Sequence, residues 1–164
     1  MLPHLDGAYR LALWIVRDAG RAQDVVQESY LRAFKAWPAY RPGNARSWLF
    51  TIVRRQGYDC LRRDRSRAFV DINDEAAMAH EDTDKLSDQS TPEHIIIQGQ
   101  SIEALRTALM TLPPAFREVI MLKDIEDMSY KTIAGILGVP MGTVTSRLAR
   151  ARDLLRVRLM ETPA

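Results

Sequence analysis

The chain has 164 residues, 46% of them hydrophobic and 27% charged, with a formal net charge of +2. That length suits one ordinary domain or two small ones, and the composition is that of a folded chain. A single cysteine, Cys60, excludes an internal disulfide framework, and three scattered histidines (His4, His80, His94) make a poor zinc ligand set, so neither metal nor cofactor is expected. No apolar run approaches the roughly 20 residues of a membrane span, and the N-terminus lacks the order of a secretory signal; a cytoplasmic protein without membrane insertion is expected.

The small net charge conceals three blocks. Residues 1–67 carry 13 Lys+Arg against 6 Asp+Glu, residues 68–100 one Lys against 8 acids, and residues 101–164 nine Lys+Arg against 7 acids. Screening acts over about 8 Å, so each block is felt locally. Two modules (1–67 and 101–164) joined by an acidic linker (68–100) are expected.

The first helix spans Leu5 to Val16, and Asp18-Ala-Gly-Arg punctuates it. A second runs from about Arg21 to Ala36 and stops before Pro38. Its core stripe should be Val26, Tyr30, Ala33 and Trp37, flanked by Val25, Ser29 and Phe34. The opposite face holds Asp24, Gln27, Glu28 and Lys35 around Leu31. An apolar residue centred in a polar face fits a protein-docking anchor with a polar rim, or simply a solvated surface. Residues 37–47 carry two prolines and a glycine and should form a loop.

A third helix runs from about Ala45 to Arg65. Trp48, Leu49, Ile52, Val53 and Cys60 fall on or beside one face. Ser47, Thr51, Arg54, Arg55, Tyr58, Arg62 and Arg65 fill the other. Interleaved arginine, hydroxyl and aromatic groups suit nucleic acid, with guanidiniums meeting phosphates and rings stacking on exposed bases; a solvated basic helix is the alternative. Tyr40, Arg41, Asn44 and Arg46 in the preceding loop could stack on or hydrogen-bond an unpaired base. Residues 68–100 lack periodicity and read as a flexible tether. Helix resumes near Pro92 to Ile96, continues to Met110 and breaks at Leu112-Pro-Pro; further helices are expected at about 114–123, 129–137 and 141–160.

Ser129 to Leu155 has the pattern of a helix-turn-helix. Ser129 should cap a helix, Gly138 should take the left-handed turn, and Pro140 should open the next helix. Val144, Leu148, Ala151 and Leu155 form its buried stripe. Thr143, Ser146, Arg147 and Arg150 project from one flank and Arg152 from the other. The second helix of such a motif enters the DNA major groove, where arginine matches the guanine edge. A plain helical hairpin with a wet basic face is the alternative.

These segments together resemble a bacterial RNA polymerase sigma factor of the extracytoplasmic-function (ECF) branch of the housekeeping-type family. Asp24-Val-Val-Gln-Glu-Ser-Tyr-Leu-Arg-Ala-Phe resembles the region 2 helix that binds the polymerase β′ clamp helices. Ala45-Arg-Ser-Trp-Leu-Phe-Thr-Ile-Val-Arg and Asp59-Cys-Leu-Arg-Arg resemble the segment that opens and reads the −10 element. Leu112-Pro-Pro-Ala-Phe-Arg-Glu-Val and Ser129 to Arg152 resemble region 4. The resemblance implies an all-α fold of two small helical domains joined by a flexible acidic linker, the second containing the helix-turn-helix. It implies polymerase docking through Asp24, Gln27, Glu28, Leu31 and Arg32. It implies −10 binding through Tyr40, Arg41, Asn44, Arg46, Ser47, Trp48, Arg54, Arg55, Tyr58 and Arg62, and −35 binding through Thr143, Ser146, Arg147, Arg150 and Arg152. Arg55 stands where many members have Asn, and Thr145 where Arg or Lys is frequent.

The implied partners are core RNA polymerase (β′ clamp helices and β flap), promoter DNA and an anti-sigma factor. A monomer is expected when free. The chain begins close to the first helix of the pattern, and regulation by an appended domain is not expected. No paired carboxylates, nucleophile–base pair or phosphate loop supports an enzyme. Two rivals remain at this stage: a sigma-like decoy that titrates an anti-sigma factor, and a dimeric helix-turn-helix repressor, which would leave the first 67 residues unused.

Overall fold

The computed structural model describes residues 2–68 and 102–161. The expected acidic tether and the helix start near Pro92 lie outside the described residues. Helices α1 (Leu5–Val16), α2 (Ala19–Ala36) and α3 (Ala45–Ala68) form an N-terminal bundle. Helices α4 (Ile102–Thr111), α5 (Pro114–Ile120), α6 (Tyr130–Leu137) and α7 (Met141–Glu161) form the second unit. Among the described residues there is no strand, and no helix is long and apolar enough to cross a membrane.

Ala8, Leu11, Ala12 and Ile15 recur at helical spacing and bury α1 against α2 and α3. The helix ends where Arg17 turns left-handed (φ 60°) and donates its N–H to Leu13 O at 2.8 Å. Asp18 then caps α2, its carboxylate accepting from the Arg21 N–H at 2.8 Å. The buried stripe of α2 is Ala22, Val25, Val26, Ser29 and Ala33.

Two expectations for α2 need correction. Trp37, placed in the core stripe, is 48% exposed, and Phe34, placed beside it, is 63% exposed. The small residues Ala22, Ser29 and Ala33 keep the stripe narrow, so a side chain one step off it stays wet. Pro38 has no N–H to continue the helix, and the chain tightens into a short 3-10 helix (Trp37–Ala39) that carries the indole off the stripe.

Asn44 starts α3 by accepting from the Ser47 N–H at 3.1 Å. Leu49, Phe50 and Val53 are fully buried, while Trp48, Ile52 and Cys60 sit at the border of the core. In the second unit, α5 does not end in an ordinary turn. It runs into a π-helical turn (Met121–Ile125), with the Glu126 N–H bonded to Met121 O at 2.9 Å. Asp127 follows at φ 52°.

The helix-turn-helix has the expected construction. The Ser129 hydroxyl accepts from the Thr132 N–H at 3.1 Å, and α6 ends at Gly138 with φ 67°. Val144, Leu148, Ala151 and Leu155 are buried. A Cβ at Gly138 would meet nothing within 4 Å. The cost of Gly138→Ala is therefore backbone strain alone, and stability should fall by about 1 kcal/mol, read as a lower denaturation midpoint.

The two units pack on one another: α1 lies against α5 and the π turn, and α3 against α6. Gly7 permits this approach. A Cβ there would come within 3.0 Å of the Glu126 carboxylate and 2.8 Å of the Phe50 ring.

Candidate nucleic-acid and polymerase interfaces

On α7, Ser146 and Arg150 are exposed and Thr143 and Arg147 partly so, with Arg147 close enough to the junction to act on the buried Glu118 carboxyl. The Ser146 hydroxyl donates back to Thr143 O at 3.1 Å. Arg152 differs from its neighbours. It grips Asp124 through two hydrogen bonds, at 2.7 and 3.4 Å, and so ties α7 to the π turn.

The loop before α3 is ordered by its own polar groups. The Tyr40 hydroxyl donates to Gly43 O at 2.8 Å, and the Asn44 side-chain oxygen is occupied as the helix cap. Trp37, Tyr40 and Trp48 form a three-ring cluster: Tyr40 stacks on Trp37 at 5.1 Å between ring centroids, and Trp48 approaches both, 4.9 Å from Tyr40 and edge-on at 6.2 Å from Trp37. Arg41, Arg55 and Arg62 are exposed, and Ser47 and Trp48 half-buried. Arg62 makes only a loose pair with Asp59 at 3.3 Å.

Arg46, Arg54 and Tyr58 are placed differently from the wet basic face the periodicity suggests. They lie at the junction between the two units. Arg54 donates two hydrogen bonds to Glu118 of α5, at 2.9 and 3.1 Å, and its guanidinium sits 4.9 Å from the Tyr58 ring centroid. Glu118 is fully buried. Burial pushes its carboxyl above the ordinary range, although Arg54, Tyr58 and Arg147 pull the other way. Burial and the nearby Glu118 also push the Tyr58 phenol up.

Glu126 holds Arg10 of α1 at 2.7 Å and Arg46 of α3 on its second oxygen. Burial pushes the Glu126 carboxyl up, but the two arginines outweigh it and hold the group below the ordinary range. Arg17 reaches across to Leu112 O at 3.2 Å. Arg117 is buried beside this junction with no partner for its Nε, and burial, aided by Arg17, pulls its guanidinium down to about 10.

The α2 face presents Asp24, Gln27, Glu28, Leu31 and Arg32, all exposed. Leu31 is 56% exposed. Phe34 continues its apolar surface one turn on. Arg32 pairs with Glu28 at 2.8 Å across one helical turn.

Family models for Sigma-70 region 2 and Sigma-70, region 4 match residues 2–67 and 102–155. The RNA polymerase sigma-H factor of Pseudomonas aeruginosa is 31% identical over 88% of this chain and 76% of its own length. The ECF RNA polymerase sigma-E factor of Escherichia coli K12 is 30% identical over 84% and 73%. The chain belongs to the ECF sigma factors. The ECF RNA polymerase sigma factor SigE of Mycolicibacterium smegmatis is 38% identical over 93% of this sigma factor, which spans 57% of that relative's length. The sigma factor RpoE from Bartonella quintana, solved with the anti-sigma factor NepR, superposes with a TM-score of 0.73 at 26% identity, covering 99% of this chain and 95% of that one. CnrH, solved with the cytosolic domain of CnrY, has the same fold (TM-score 0.66, 22% identity, 99% and 86% coverage).

Sequence reasoning about this sigma factor missed the residues that join its halves: Arg10, Arg17, Glu118 and Glu126. One signal was available. Arg117 and Glu118 stand directly against the apolar run Val119 to Leu122, where a buried carboxylate needs a partner. Glu126 gave none, because it sits in the acidic stretch Asp124-Ile-Glu-Asp and looks solvated.

Proposed function

We propose that this sigma factor binds core RNA polymerase in the cytoplasm and directs it to promoters, with α7 reading the −35 duplex and α3 with its preceding loop capturing the melted −10 strand. The observation that carries this is the recognition helix: a glycine-turned helix-turn-helix presents Ser146 and Arg150 to solvent, with Arg147 partly exposed beside them. The α2 face docks on the β′ clamp helices, the second unit meets the β flap, and an anti-sigma factor competes for these surfaces. No observation favours the decoy or the repressor.

In the arrangement described, Arg46, Arg54 and Tyr58 are engaged with Glu118 and Glu126. Strand capture by these side chains therefore requires the two units to separate, with DNA phosphates taking the place of the carboxylates. Arg150→Ala should cost about 1–3 kcal/mol at a single −35 base pair if its contact is bidentate. A −35 substitution scan reads this as lost discrimination at that position, and an identical scan for wild type and variant would remove the assignment.

The overall test is transcription from a random promoter library by core polymerase with and without the sigma factor. Transcripts sharing an upstream two-part motif support the reading. Binding of duplex DNA without polymerase binding would replace it with the repressor.

A further inference from the structure

Arg152 leaves its own helix where its neighbours do not. The hydroxyls of Thr145 and Ser146 bond to carbonyls of α7, and Arg156 pairs with Asp153 one turn back. Arg152 instead places its Nη2 2.7 Å and its Nε 3.4 Å from the two carboxylate oxygens of Asp124. Only 19% of its side chain stays exposed, so little of the guanidinium remains for a DNA phosphate. The π turn that carries Asp124 is itself fixed. The Glu126 N–H bonds to Met121 O and the Met128 N–H to Leu122 O, at 2.9 and 3.0 Å, and the Lys123 ammonium sits 5.1 Å from the centre of the Tyr130 ring on α6.

The place of this pair on α7 gives it a consequence for DNA. Apolar contact is non-directional, and at the level of Arg152 the buried stripe offers only the methyl of Ala151. A bidentate, charge-assisted pair is directional. A roll of α7 by about 10° moves a side-chain end by about 1 Å. That takes a 2.7 Å hydrogen bond out of range. Arg150 and Arg152 lie one residue either side of the buried Ala151, so a roll that breaks the second displaces the first equally. We propose that Arg152 and Asp124 are positioning residues for −35 reading: the pair sets the rotation of α7, and so the line along which the exposed Arg150 meets a base edge, while Arg152 itself carries no DNA contact. This rests on the −35 reading given above.

The test uses holoenzyme and a promoter recovered from the library, and reads the ratio of affinities for the preferred and a substituted base pair at each −35 position. A ratio cancels whatever acts on all sequences alike, including a changed charge and a loss of folded protein. Asp124→Ala removes a negative charge and Arg152→Ala a positive one, so a phosphate contact predicts opposite results for the two. The positioning pair predicts one result. Both variants should lower the ratio about fivefold at the base pair that Arg150→Ala identifies, the low end of what one base pair contributes. The double variant should do no worse than either, and Arg152→Ala should keep the wild-type salt dependence, because no phosphate contact is lost. A salt slope lower by about one for Arg152→Ala, with Asp124→Ala binding at least as tightly as wild type, would make Arg152 a phosphate contact and overturn the proposal. Unchanged ratios in both single variants would overturn it while leaving the −35 reading standing on Arg150. Summed losses in the double variant would show two residues acting separately and overturn it as well. A wild-type ratio near one at every −35 position would remove the −35 reading itself, and the proposal with it.

Discussion

Leu31→Asp is expected to abolish co-purification with core RNA polymerase while leaving the free chain's unfolding midpoint nearly unchanged. Leu31 is 56% exposed and Phe34 63%, so neither supports the fold, and an exposed substitution of this kind moves stability by about 0.5 kcal/mol or less. At an apolar interface centre the same change removes an anchor and buries a carboxylate without a partner. Anchors of this type are worth about 2 kcal/mol or more, and the stranded charge adds to the loss. Arg32→Ala is the contrasting variant. Its pair with Glu28 is an exposed, solvent-screened one-turn contact, and the only buried group it reaches among the described residues is the Gln56 side-chain oxygen, at 3.1 Å. Retention of the Leu31→Asp chain on polymerase would remove Leu31 from the docking surface.

Arg54→Ala should open the molecule. It removes the two hydrogen bonds that Arg54 donates to Glu118, a fully buried carboxylate across the junction, and leaves that of Tyr58. Breaking a buried pair by removing one partner costs about 3–5 kcal/mol. Two responses can relieve it: Glu118 takes up a proton, or the units separate and water reaches it. Glu118 already titrates above the ordinary carboxylate range, and loss of Arg54 raises it further. The closed form then binds a proton that the open form releases, so closure by the variant must weaken as pH rises through the closed-state pKa. Resonance energy transfer between labels on α2 and α7 would report this as separation growing with pH. The double variant Arg54→Met with Glu118→Leu should close again and lose the weakening at high pH, because apolar residues of similar volume replace a buried pair at little cost. Glu126, held below the ordinary range by Arg10 and Arg46, still weakens closure when acid protonates it. A single variant that stays closed across the range would show that the apolar contacts of α1 and α3, not this pair, hold the units together.

Much of the local structure was legible from residue order. Asp18, Pro38, Ser129 and Gly138 mark helix ends through caps, a missing N–H and a left-handed turn, and those signals act within four residues. The stripe Val144, Leu148, Ala151 and Leu155 identified the buried side of α7 because its burial is set by helical period. Periodicity failed on α2, where Phe34 and Trp37 fall near the apolar side of the wheel but outside a stripe narrowed by small residues. It failed again on α3, where Arg54 and Tyr58 share a face with Arg55 and Arg62 yet lie under a second unit about 60 residues further on.

The sequence by itself determined the all-helical class, the helix-turn-helix and the ECF sigma resemblance. Each is written in short-range spacing, and the family models match residues 2–67 and 102–155. Only the tertiary structure decided which arginines are free. Glu118 and Glu126 reach Arg54, Arg46 and Arg10 across sequence separations of 64, 80 and 116 residues. No local pattern encodes such a pairing, because a guanidinium on a helix face looks the same whether water, DNA or a distant carboxylate will meet it.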